Sequence, residues 1–117
     1  MPKALKIGAQ IQNTFAKAFK RGVPIAFGTD AGVFPHGKNA LEFGYMEEAG
    51  MPMEEVLQSA TIVNAKILNQ ASKLGQIAPG FKADMVATHE NALYDSGTLN
   101  DIFFVMKEGK IYKNKMD

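Results

Sequence analysis

The run Val23-Pro24-Ile25-Ala26-Phe27-Gly28 is apolar without polar alternation. A strand of this kind hides both faces, which predicts a parallel strand covered on two sides. Pro24 near its start suits a first strand position. The preceding residues, 3–21, carry Ala4, Ile7, Gly8, Ile11, Phe15 and Ala18 at three- and four-residue steps. Lys3, Lys6, Gln10, Asn13, Lys17 and Lys20 repeat on the other side, so the segment reads as an amphipathic helix. Pro2 suits its start, and Lys20-Arg21-Gly22 suits its end: cations near the negative terminus, then a residue free to turn left-handed. Helix, glycine turn and buried strand make half of an α/β unit, and α/β is the fold class expected.

The chain beyond the strand divides in two. A polar, glycine-flanked exit, Gly28-Thr29-Asp30-Ala31-Gly32, leads into a loop over 33–38. A short helix is expected from Asn39 to Ala49, with Leu41, Tyr45 and Met46 inward and Glu42, Glu47 and Glu48 outward. Pro52 opens a second helix over 53–70, with Glu54 and Glu55 in its first turn. Val56, Ala60, Val63, Asn64, Ile67 and Ala71 are its expected inner face. After the turn residues of 73–80 the period changes. Residues 84–88 and 101–107 read as strands, and Glu108-Gly109 as a hairpin turn into a strand over 110–113. The expected division is therefore 1–72, α/β, and 73–117, a small β element.

Composition narrows the function classes. With 117 residues the chain is one domain at most, too short for a complete (β/α)8 barrel of about 250 residues. Without cysteine there is no disulfide, thiolate metal site or thiol nucleophile. No apolar run approaches the roughly 18 residues of a membrane span. The net charge of +1 gives no general case for nucleic acid or membrane. Residues 1–40 carry +5, 41–60 carry −5 and 61–117 carry +1, which reads as solvated helix faces that nearly cancel or, as the alternative, a basic surface for an anionic partner. The seven methionines suit gaps in a core or an interface. There is no phosphate-binding loop, dinucleotide glycine pattern or nucleophile elbow.

Asp30 is the strongest candidate for chemistry. It follows the carboxyl end of the buried strand, the face on which α/β proteins build sites. A carboxylate there can ligate a divalent metal and move a proton, or it can cap a turn or the next helix. His36, in the Pro35-His36-Gly37 loop, can contact substrate or donate a proton, or simply lie exposed. His89-Glu90 begins like a zinc-protease helix, but Leu93 stands where the second histidine belongs, which leaves His89 a surface residue at a strand end. Asp84 suits a structural hydrogen bond at a strand start. Phe103, Phe104 and Tyr112 lack the basic interleaving of a nucleic-acid platform and read as packing residues.

Taken together, Ile25 to Val33 with Pro35 to Asn39 resembles the last barrel strand and loop of metal-dependent amidohydrolases, especially the imidazolonepropionase-related and Xaa-Pro dipeptidase (prolidase-like) members. The likeness continues through Ser59 to Leu68 and Leu74 to Val86, and ends at Phe104 to Lys110. The resemblance implies the C-terminal portion of a (β/α)8 barrel over 1–72 and strands of the flanking β-sandwich over 73–117. It implies a divalent metal, zinc in most members, with Asp30 as ligand and proton shuttle. It implies His36 facing a small-molecule or dipeptide substrate, and hydrolysis of amide, cyclic-amide or Xaa-Pro bonds.

The family's His-x-His strand, its bridging lysine and its later histidines have no counterpart, and the chain holds two histidines in all. A catalytic zinc takes three protein ligands plus water, more than one aspartate supplies. The expectation is a truncated or expressed C-terminal fragment, inactive alone. The alternative is a non-catalytic α/β module that self-associates or binds a partner. Strand edges and apolar faces without neighbours predict a homo-oligomer, with neither nucleic acid nor membrane as partner. Localisation stays open: cytoplasmic, or periplasmic where a parent protein carries a leader.

Overall fold

The computed structural model describes residues 13–28 and 40–115. Helix α1 is helical over 13–20; the earlier part of the expected helix lies outside the described residues. Asn13, Lys17 and Lys20 are exposed, while Phe15 and Phe19 pack on the core. The glycine signal at its end holds: Gly22 has φ +79°, its N–H donates to Phe19 O at 3.0 Å, and Val23 N–H donates to Ala18 O at 3.1 Å. This pair of bonds is the Schellman closure. It recurs after the next helix, where Gly50 N–H donates to Glu47 O and Met51 N–H to Met46 O. A third copy uses Asn69, φ +57°, with Asn69 N–H on Lys66 O and Gln70 N–H on Ala65 O.

Three more helices follow: α2 (Leu41–Glu48), α3 (Met53–Ala60) and α4 (Ile62–Ile67). The single helix expected over 53–70 is thus two. The break falls at Thr61, whose φ −124° and ψ −87° are not helical. Local chemistry explains it. Thr61, Ile62 and Val63 are three β-branched residues in a row, poor helix formers. Thr61 Oγ1 donates to Leu57 O at 2.8 Å and Ser59 Oγ to Val56 O at 2.6 Å, bonds that compete with the helical ladder. The break also resets the inner face. Val56 and Ala65 are buried, whereas Ile67 and Ala71, expected inward, are exposed.

The core is built from Met46, Met51, Met53 and Val56, with Phe15, Phe19, Ile25, Phe27, Phe43, Leu57 and Leu99 packed around it. Phe27 stacks on Phe43 with centroids 4.4 Å apart. Methionine can fill such an irregular space between aromatic rings because its chain is unbranched and its sulfur polarizable.

The second half is a three-stranded antiparallel sheet in the order β1 (Met85–Thr88), β2 (Ile102–Lys107), β3 (Lys110–Asn114). The hairpin falls where the sequence places it. Glu108 and Gly109 have φ +51° and +81°, as a type I′ turn requires. Asp84 Oδ1 accepts the Glu108 N–H at 2.7 Å, and Gly109 N–H donates to Ala83 O. Asp84 therefore holds the turn, the structural bond expected of it. A 3-10 helix, Ser96–Asn100, joins β1 to β2 and was not legible in the sequence. Asp95 caps it by accepting Gly97 N–H at 3.0 Å, and Leu99 carries it onto the core.

Candidate functional site

Asp30, His36 and the loop around them lie outside the described residues. What the structure describes is the segment that delivers the chain to Thr29 and Asp30, and the elements that hold it. Residues 23–28 carry no strand ladder among the described residues. Their burial alternates: Ile25 and Phe27 turn inward, while Val23, Ala26 and Gly28 are exposed. The expected strand covered on two sides is thus covered on one, by the α1–α3 core; nothing among the described residues packs over Ala26.

The segment is fixed at Phe27. Its N–H donates to Ser59 O at 3.1 Å, and its carbonyl accepts from Asn64 Nδ2 at 3.0 Å. In an extended chain the N–H and C=O of one residue point to the same side. Exchange of both is what a neighbouring strand provides in a hydrogen-bonded antiparallel pair. Here the α3–α4 break does it instead. The kink at Thr61 turns the Ser59 carbonyl toward the incoming segment, and Asn64, one turn on, brings an amide donor beside it. The Phe27 ring meanwhile is locked against Phe43. Backbone and side chain of Phe27 are thus both anchored, three residues before Asp30.

The break is buttressed from behind by Gly75. Its φ is +98°, and a Cβ there would lie 2.9 Å from Thr61 O and 3.2 Å from Ala65 Cβ. Beside it an open cavity of about 630 Å³ runs between the α3–α4 break and the sheet, lined by residues including Asn64, Leu74, Ile77, Met85 and Met106.

The described donors do not make a metal centre. No three His, Asp or Glu side chains converge among the described residues. Three of the described carboxylates serve the fold: Asp84 accepts from Glu108 N–H, Asp95 from Gly97 N–H and Glu47 from Ser96 Oγ. His89 is exposed, stacks on Phe103 at 4.5 Å and has Nε2 3.8 Å from Asp101 Oδ2, a surface residue as its failed motif predicts. Partial burial raises the Glu42 carboxyl above the ordinary glutamate value. Ser59 and Asn64 carry no catalytic signature, and sequence reasoning placed Asn64 only on an inner helix face. The available signal was a polar amide among apolar inward positions.

The fold of the described residues is shared with proteins of known structure. The amidohydrolase family matches residues 2–114, and the chain belongs to that family. A crystal structure of a Xaa-Pro dipeptidase with methionine bound in its active site is 48% identical, with a TM-score of 0.89 over 97% of this chain and 28% of that one. Ochratoxinase of Aspergillus niger is 38% identical over 102 residues, 82% of this chain and 21% of that protein. A 5-methylthioadenosine/S-adenosylhomocysteine deaminase of Caldicellulosiruptor saccharolyticus is 32% identical over 129 residues, 97% of this chain and 29% of that protein. The chain therefore spans between a fifth and a third of each relative, and the prolidase-like side of the sequence resemblance is borne out.

Proposed function

We propose that this chain forms the C-terminal part of a metal-dependent amidohydrolase that cleaves amide or Xaa-Pro bonds of small molecules or dipeptides. Residues 1–72 end the (β/α)8 barrel and 73–117 continue into the companion β-sandwich. The observation that carries the reading is the likeness to a Xaa-Pro dipeptidase over 97% of the chain at 48% identity. The anchored exit at Phe27 supports it, because a carboxylate that moves protons needs a fixed base.

In this reading Asp30 is the chain's contribution to the chemistry. It accepts a proton from the attacking water and hands it to the leaving nitrogen, so the carbon–nitrogen bond breaks without expelling an unprotonated amide. His36 lies toward the substrate. The family's divalent metal, zinc by resemblance, requires three protein ligands. This chain offers Asp30 toward it, so the remaining ligands come from the other three-quarters of the hydrolase.

The test has two arms. The purified chain alone should hold no stoichiometric zinc and hydrolyse no Xaa-Pro dipeptide. In a hydrolase that carries this segment behind its other barrel strands, Asp30→Asn should cost about 10²- to 10⁴-fold in kcat. Full activity in that variant would overturn the role of Asp30.

A further inference from the structure

We propose that Asn64 is a positioning residue, whose side-chain amide fixes the backbone at Phe27, from which the chain runs on to Asp30; the functional part of this rests on the reading of Asp30 above. Asn64 stands on a helix of six residues among Ile62, Val63 and Ala65. Asparagine is a weak helix former, and an apolar side chain would serve a half-buried position better. Its presence has a local purpose in the structure: Nδ2 lies 3.0 Å from Phe27 O, 37 residues away in sequence.

The partner of this bond gives it leverage. Phe27 receives the Asn64 amide on its carbonyl and gives its own N–H to Ser59 O, so both bonds bear on one residue. Two bonds on the same edge fix the rotation of the segment as well as its distance. Rotation matters because side chains alternate along an extended chain; a twist at Phe27 would re-aim the backbone that leaves it at Gly28. A catalytic group must be held to within about 0.5 Å, and a misplacement of about 1 Å can cost 10²-fold in rate. Ser59 contributes through its backbone, whose position the Thr61 break dictates. Asn64 is the member of the pair that a side-chain substitution can remove.

Asn64→Asp gives the sharpest test in the full chain, followed by amide NMR and hydrogen exchange. The substitution keeps the shape but replaces the donor with a carboxylate facing the Phe27 carbonyl. At neutral pH the amides of Phe27 and Gly28 should shift, and the Phe27 amide, bonded to Ser59 O, should exchange about tenfold faster, the weight of one hydrogen bond, with β2 and β3 unchanged. When the introduced carboxyl is protonated by lowering the pH, it becomes a donor again. Exchange should then return to that of the unsubstituted chain at the same pH. Asn64→Leu should show the same loss without the recovery. Unchanged amides at 27–28, or changes spread evenly into β2, would overturn the proposal, as would recovery in Asn64→Leu. In a hydrolase containing the segment, Asn64→Asp should lower kcat about 10²-fold at an unchanged KM. A deleterious Asp30→Asn beside a harmless Asn64→Asp would refute the positioning role. A harmless Asp30→Asn would refute the reading of Asp30 and leave the exchange result standing.

Discussion

Single residues carry two separate messages in this chain. Phe27 shows how one position can be held by backbone and ring together, through Ser59 O, Asn64 Nδ2 and Phe43. Glu42 shows the opposite, a charge kept where it is poorly solvated. Desolvation raises its folded-state pKa above the unfolded value. Between the two values the folded protein binds more protons. Glu42 therefore contributes stability below the ordinary glutamate pKa of about 4.3, and that contribution is lost as pH rises through the raised value. Glu42→Gln should remove this pH dependence. Urea midpoints of the variant should gain on the unsubstituted chain between pH 4 and pH 7; a constant difference would refute the burial effect. Asp30 and His36 were legible as candidates because a strand exit and a loop histidine are written in local sequence. Asn64 was not, because its partner is 37 residues away and no local pattern marks such a bond.

At the scale of elements, legibility follows how local the cause is. The 108–109 hairpin and the Gly22 helix stop were readable because glycine conformation and turn chemistry act over a few residues. The division of 53–70 was missed although its parts, Ser59, Thr61, Ile62 and Val63, were in view. Helical periodicity runs across all four, and only the structure shows the hydroxyls of Ser59 and Thr61 bonded to Val56 O and Leu57 O. The break also depends on a distant buttress. Gly75→Ala would force a Cβ to 2.9 Å from the Thr61 carbonyl at a φ of +98°. The expected loss is about 1–3 kcal/mol in urea unfolding. Exchange at Phe27 should quicken with it, since the Ser59 carbonyl moves with the break. A variant as stable as the parent would mean that the 70–82 connection yields freely.

At the scale of the molecule, much apolar surface is uncovered among the described residues. Ile77 and Tyr94 are 81% and 88% exposed, and every residue of β3 is exposed. An exposed edge strand of this kind invites pairing with another chain. The same edge carries Lys110, Lys113 and Lys115, which repel a second copy at low salt. Self-association should therefore rise with ionic strength; light scattering that finds a monomer of 12.7 kDa from low to high salt would refute it. Apolar faces without neighbours were expected from the sequence, but not which residues would form them, because burial is set by packing between residues far apart in the chain. The sulfur-rich core has one further consequence. Met46, Met51 and Met53 are 4–6% exposed, while Met85 and Met106 are only half-buried. Peroxide would reach the first three only when the helical half opens, and the sulfoxide would then keep them from packing again. The lag between the two groups in a mass-spectrometric time course would thus clock the breathing of the helical half against the sheet within a single sample.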